Sequence, residues 1–145
     1  MPYESEKITR KKRIDIQLKA AGWIMVQFSE VNDICVLTNH AIEEYQTANG
    51  PADYALVVNG KLLGIIEAKK VDVGAQNVLE QAKRYSRGTV ITIGEWNNYR
   101  VPFLYSSNGE LIYYLDIRVS KNLSRQIYNF HTPDALQDFF ITQNE

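Results

Sequence analysis

Glu67-Ala68-Lys69 sets a carboxylate and an ammonium two positions apart. On a strand, residues i and i+2 point the same way, so Glu67 and Lys69 share one face and Ala68 takes the other. The run before them, Leu62-Leu63-Gly64-Ile65-Ile66, is apolar enough to be buried. Charged groups at the end of a buried strand are costly unless a metal ion or a salt bridge offsets the lost hydration. Asp53 opens the preceding apolar run, and counting back from the Asn59-Gly60 turn brings it nearly opposite Ile66 and Glu67. Two carboxylates and a lysine then meet at the open end of one hairpin. Hard cations such as Mg²⁺ take oxygen ligands of this kind and keep several waters. Such a metal polarises a phosphodiester oxygen and lowers the pKa of bound water; a lysine can orient that water or stabilise the developing negative charge. The set suffices for phosphodiester hydrolysis. Taken singly the pieces are ordinary: an ExK triplet is often a solvated strand edge, and an Asp after a proline turn is common turn chemistry. Their convergence on an apolar element is the signal.

The elements that must position these groups can be read from periodicity. Asp53–Val58 and Leu62–Lys69 are β-prone runs flanking Asn59-Gly60, the strongest short hairpin signal. Residues 5–21 read as a helix, with Ile14, Leu18 and Ala21 at helical spacing, Ser5 as a cap and Gly22 as the stop. Trp23–Phe28 reads as a strand, residues 29–40 give no clear pattern, and Ala41–Gln46 reads as a strand ended by Asn49-Gly50-Pro51. Gln76–Arg87 reads as a helix closed by Gly88, Val90–Ile93 as a short strand, and Val101–Ser106 with Leu111–Ile117 as a second hairpin around Asn108-Gly109. After about Lys121 the pattern is of helix-forming pieces broken by Pro133. This order implies an α/β domain with a mixed central sheet and helices on its faces.

Composition narrows the class further. At 145 residues the chain is expected to be one domain with its own core. Sixteen basic residues against seventeen acidic leave a net charge of −1, so affinity for a polyanion must come from local charge. The one dense basic run is Lys7, Arg10, Lys11, Lys12 and Arg13, either a solvated helix or a phosphate-contact surface that positions DNA without reading its sequence. Lys83, Arg84 and Arg87 could extend it. A single cysteine, Cys35, excludes an internal disulfide and fits a reducing, cytoplasmic setting. No secretory leader, membrane span, structural-zinc pattern or GxxxxGK[ST] phosphate loop is present, so no membrane association and no ATPase activity are expected.

Ala52-Asp53-Tyr54 followed by Ile66-Glu67-Ala68-Lys69-Lys70 resembles the motif of PD-(D/E)XK nucleases, and more narrowly the N-terminal nuclease region of the R subunit of type I restriction enzymes. Glu6-Lys7-Ile8-Thr9-Arg10, Ile14-Asp15 and Ala21-Gly22-Trp23 resemble that family's first helix, and Gln81-Ala82-Lys83-Arg84-Tyr85 its QxxxY motif. Ser107-Asn108-Gly109 is similar to its strand-turn signature, and Phe130-His131-Thr132-Pro133 with Leu136 to its link toward motor domains. Each motif is weak alone, but their order covers nearly the whole chain. Ala52 stands where the class name writes Pro, with Pro51 one place earlier; this subfamily commonly relaxes that position.

The resemblance implies a restriction-endonuclease-like α/β fold, with a nuclease domain over 1–120 and a C-terminal helical segment over 121–145 leading toward motor domains that this chain lacks. It implies Mg²⁺, for which Mn²⁺ can substitute, held by Asp53, Glu67 and the backbone carbonyl of Ala68, with Lys69 as the catalytic lysine. Gln81 and Tyr85, one helical turn apart, would contact DNA or order the site, as would Glu6, Arg10, Arg13 and Arg84; Glu44 is an alternative to Glu6 as the further acid. ATP would serve only the motor domains. Double-stranded DNA and the modification and specificity subunits of the restriction complex are the implied partners, with recognition left to the specificity subunit. The competing readings are a stand-alone structure-specific or repair nuclease of the same superfamily and an inactive nuclease-like docking module.

Overall fold

Turn chemistry and two-residue alternation account for most of the sheet. The structure, a computed structural model, describes residues 8, 13–69, 79–89, 93–96, 98–119 and 121–142; the side chains of residues 79–81 lie outside that description. Seven strands form one mixed sheet in chain order: β1 (Ile24–Gln27), β2 (Asn39–Thr47), β3 (Gly50–Val58), β4 (Lys61–Ala68), β5 (Phe103–Ser107), β6 (Ile112–Asp116) and β7 (Arg125–Ile127). β1 pairs β2 and β4 pairs β5 in parallel; the other neighbours are antiparallel. The expected mixed sheet with helices on its faces is therefore present. Residues 29–40, unpatterned in sequence, run from the 3₁₀ turn Phe28–Glu30, whose Phe28 the sequence reading places in the preceding strand, through a second at Ile34–Val36 to the start of β2 at Asn39.

Helix α1 (Asp15–Ala20) buries Leu18, follows the buried Ile14 at its N-cap and stops at Gly22, whose φ of +100° suits a residue without Cβ. Helix α2 (Leu79–Arg87) buries Ala82 and Tyr85 against the opposite sheet face. Helix α3 (Pro133–Thr142) corrects the reading of Pro133 as a breaker. The proline occupies the first helical position, where a missing N–H costs nothing, and the Thr132 hydroxyl accepts the Ala135 N–H at 3.1 Å. The segment after residue 121 is also not purely helical: it adds β7 to the sheet edge and packs Phe130, Leu136 and Phe139 onto the α1 side of the core. Two sequence stretches far apart meet here, since the Trp23 indole donates to the His131 carbonyl at 2.9 Å. The β4–α2 connection, the strand expected over Val90–Ile93 up to residue 92, and the basic run from Lys7 to Lys12 apart from Ile8 lie outside the described residues.

One hairpin decides the geometry of the site, and it departs from simple counting. Asn59 (φ +50°) and Gly60 (φ +78°) form the expected two-residue turn, and Val58↔Lys61 and Val57↔Leu62 pair as that turn dictates. Leu63 is then bulged out of the ladder, so Leu56 faces Gly64 and Tyr54 faces Ile66. Without the bulge Asp53 would face Ile66, and Glu67 would fall on the other side of the sheet. With it, the register carries Asp53 and Glu67 opposite one another. Gly64 accommodates the shift, because a Cβ there would lie 3.0 Å from the Leu56 side chain.

Candidate metal and nuclease site

Glu67 is the last charged residue of β4 and is only 6% exposed. Its neighbours Ile66 and Ala68 belong to the core on the α1 side, so alternation turns Glu67 toward the α2 side. Asp53, half-buried on β3, reaches across the hairpin and accepts the Ala68 N–H through Oδ2 at 2.7 Å. The two acidic side chains are also hydrogen-bonded to each other, and the Asp53 backbone N–H donates to Glu67. Burial, then the Asp53 charge, then that shared hydrogen bond push the Glu67 carboxyl up to about 9, while the Lys69 ammonium works in the opposite direction. A cation between the two carboxylates would relieve the first two causes at once.

A second observation points the same way. Among the described residues, Glu67 Oε1 is the one carboxylate oxygen that is buried without a hydrogen-bond partner. A buried acceptor left unmade is costly and calls for an explanation, of which an absent ion is one. The donor set fits Mg²⁺, which is commonly held by one or two carboxylates and otherwise keeps its waters. No cluster of three or more His, Cys, Asp or Glu side chains among the described residues is arranged to hold a metal, so Asp53 and Glu67 stand without a third acid there. Lys69 follows β4 directly and donates its backbone N–H to the Ser107 carbonyl at 3.0 Å, which ties the end of β4 to β5.

The other sequence candidates are distributed around this point. Tyr85 is 8% exposed and packs against Gly50, where a Cβ would lie 3.4 Å from its ring. Gln81 lies on α2, but its side chain is among those outside the description, as are Glu6 and Arg10 altogether. Arg13 packs on the Gly109 turn, which follows Ser107 and so lies at the same end of the sheet as Lys69. Arg84 is exposed, its guanidinium 5.3 Å above the Tyr85 ring, and Arg87 stacks on Tyr99 at 4.5 Å while donating to its hydroxyl.

Two further carboxylates are buried: Glu43, which the sequence reading does not pick out, and Asp15, which it gives only within the first-helix resemblance. Asp15 accepts from the Tyr54 hydroxyl, and Glu43 faces Tyr54 across β2–β3. Both lie on the α1 side, across the sheet from Glu67. Asp15 falls within the helical periodicity of α1 and is marked only by the first-helix resemblance, and Glu43 lies within an apolar–polar strand pattern, so composition and spacing alone separate neither from a surface residue.

The family model for the second domain of the type I restriction enzyme EcoKI endonuclease subunit matches residues 35–140, which include the whole hairpin. The chain belongs to this type I restriction enzyme endonuclease-subunit family. It is 27% identical over 171 aligned positions to the EcoKI endonuclease subunit of Escherichia coli K12, an alignment covering 85% of this chain and 15% of that subunit. In fold it is similar to a fragment ascribed to an HsdR subunit of a type I restriction enzyme from Vibrio vulnificus YJ016. The TM-score is 0.69 at 21% identity, over 97% of this chain and 26% of that one. The restriction-endonuclease-like architecture expected from the hairpin motif is thus shared. The chain spans a small part of the relatives it matches. No helix among the described residues is long and apolar enough to cross a membrane.

Proposed function

We propose that this chain is a Mg²⁺-dependent DNA endonuclease domain of a type I restriction R subunit, hydrolysing phosphodiesters without intrinsic sequence specificity. The observation that carries the reading is the buried Glu67 carboxyl, with one oxygen unpartnered, held against Asp53. Asp53, Glu67 and the Ala68 carbonyl would hold the metal, and Mn²⁺ would replace Mg²⁺ in the same oxygen set. The metal, when bound, supplies charge neutralisation of the phosphate and a water of lowered pKa. Asp53 fixes the end of β4 through the Ala68 N–H, so the two carboxylates move as one unit. Lys69, anchored by its backbone to β5, brings an ammonium toward the phosphate, where it orients water or steadies negative charge. Tyr85 is too buried to offer DNA much surface, and its packing on Gly50 supports an ordering role.

Arg13 and Arg84, with Lys83 and Arg87, would contact duplex phosphates; so would Arg10, with Glu6 as a further acid beside the site. Contacts to phosphate position DNA and carry no base information, which leaves target choice to a specificity subunit acting with a modification subunit. ATP would be used by motor domains and not by this chain, which carries no phosphate loop. The setting is the cytoplasm. A stand-alone repair or structure-specific nuclease would cut branched DNA in preference to linear duplex. A docking module would have no reason to bind Mg²⁺ between these carboxylates.

The test is a calorimetric titration of Mg²⁺ into the chain, paired with plasmid nicking in the assembled restriction complex. Wild type should bind Mg²⁺ and support nicking. Asp53→Asn and Glu67→Gln should lose both, and Lys69→Ala should bind metal yet fail to nick. Nicking that persists in all three variants would remove the site assignment.

A further inference from the structure

We infer that Glu44 acts through its left-handed backbone, not its carboxylate, as a positioning residue that bends the β2–β3 ribbon and delivers Asp53 to Glu67. The inference rests on the metal-site reading above and extends it to a residue outside the acidic pair.

Glu44 has φ +57° in the middle of β2, a conformation that L residues rarely adopt and that no turn requires there. The ladder pairs Glu43 with Tyr54 and Tyr45 with Ala52, so the position across from Glu44 is Asp53. Both strands change face at this point. Ile42 and Tyr45 lie in the same core, on the α2 side, although residues three apart on an uninterrupted strand point to opposite faces. Ala52 and Ala55 repeat the anomaly on β3. The Glu44/Asp53 level is therefore a kink shared by the two strands, with one residue on each and the register kept, and it re-aims the side chains on either side of it.

The kink has a destination. Beyond it the ribbon leaves β4, whose ladder with β3 ends at Tyr54↔Ile66, and docks on the end of α2. The Ala48 N–H donates to the Gly88 carbonyl at 2.7 Å, the Asn49 side-chain amide donates to the Arg84 carbonyl at 2.7 Å, and Gly50 lies against Tyr85. Where β3 parts from β4, the Ala68 N–H bonds to the Asp53 side chain in place of a strand carbonyl. The acidic pair thus sits in the fork that the bend opens.

The experiment is Mg²⁺ titration by calorimetry on the chain carrying Glu44→Gly, Glu44→Asn, Glu44→Gln or Glu44→Val, with Asp53→Asn as the site control and thermal melts in EDTA reporting fold. Gly and Asn tolerate the left-handed region and Gln keeps the backbone problem of Glu, so all three should bind Mg²⁺ within about twofold of wild type. Gly should also melt higher. Val, β-branched, resists that conformation and should weaken binding about tenfold or more in a chain that still melts cooperatively. If Val prevents folding, Glu44→Thr, β-branched but polar, carries the test with a smaller loss in the same direction. Wild-type binding in the folded Val or Thr variant overturns the proposal, and so does a loss in Gln or Gly equal to that in Val, which would make the carboxylate the working group. Asp53→Asn separates the two levels. If it leaves Mg²⁺ binding unchanged the site reading fails and the positioning role with it, whereas loss in Asp53→Asn with full binding in Glu44→Val sinks the positioning role alone.

Discussion

At the residue scale, the burial of Glu67 couples its proton to stability and, on the proposed function, to metal binding. Its carboxyl titrates near 4.5 unfolded and about 9 folded, chiefly because burial and the Asp53 charge disfavour the anion. Between those values the metal-free folded chain holds a proton that the unfolded chain has released. The stability from this group is therefore fully present below about 4.5 and is lost as pH rises through 9. Glu67→Gln, whose amide can donate to Asp53 as the protonated acid does, should flatten that slope. In EDTA it should melt above wild type by a few degrees at pH 8, a difference on the order of 1 kcal/mol, and the gap should close near pH 5. Added Mg²⁺ should raise the wild-type melting temperature and leave Glu67→Gln where it was. A wild-type melting temperature in EDTA that climbs from pH 5 to pH 8 more steeply than that of the variant would reverse the sign argued here.

The ExK triplet and Asp53 were legible as residues, since carboxylates and an amine at a strand end are unusual in an apolar run. What escaped was their coupling. No sequence pattern separates a solvated Glu from one whose oxygen is buried and unpartnered. Tyr85 reads from sequence as a residue that contacts DNA or orders the site; its burial and its packing on Gly50 appear only in the fold.

At the element scale, the β3–β4 hairpin was read correctly as an element and imperfectly in register. Asn59-Gly60 announces its turn, but Leu63 looks like any other apolar residue between Leu62 and Gly64, so its bulge was invisible to counting. Gly64 is the trace the bulge leaves in sequence. Gly64→Val would press on Leu56 in a filled core, and should destabilise by about 1–3 kcal/mol, seen as a lower urea midpoint at unchanged m. If the ladder slips instead, Mg²⁺ binding should be lost with it; full stability in the variant would argue against close packing at this level.

The C-terminal elements obey the same logic. Pro133 was read as a break because a proline inside a helix removes a hydrogen bond, whereas Thr132 as a cap makes it a start. The joint between α3 and the sheet is fastened by the Tyr105 hydroxyl on His131 Nδ1 at 2.8 Å, in a site whose burial, with the Arg125 charge, lowers the His131 ring to about 4. Tyr105→Phe strands that nitrogen. Denaturation should report a loss of about 1–3 kcal/mol without any change in Mg²⁺ affinity.

At the scale of the whole molecule, a net charge of −1 gives no general attraction for DNA. On the proposed function, duplex binding would rest on local cations, of which the exposed Arg84 and Arg87 on α2 are candidates. The double variant Arg84→Ala/Arg87→Ala should weaken duplex binding equally for all sequences and lower the salt slope by about 2, measured by fluorescence anisotropy across ionic strength. A sequence-dependent loss would mean base contacts and contradict the nonspecific reading. Fold class was the most legible feature at this scale, because alternating strand and helix signals with two hairpins leave few architectures open. The bend of the β2–β3 ribbon was not, since it depends on one left-handed residue of a type that gives no warning.

The most direct measurement is crystallographic: the chain soaked in Mn²⁺, with data collected at the manganese edge. An anomalous peak between Asp53 and Glu67, at about 2.0–2.3 Å from Glu67 Oε1, is the expected result. An empty position there, with Oε1 bonded instead to a donor of the protein, would contradict the account.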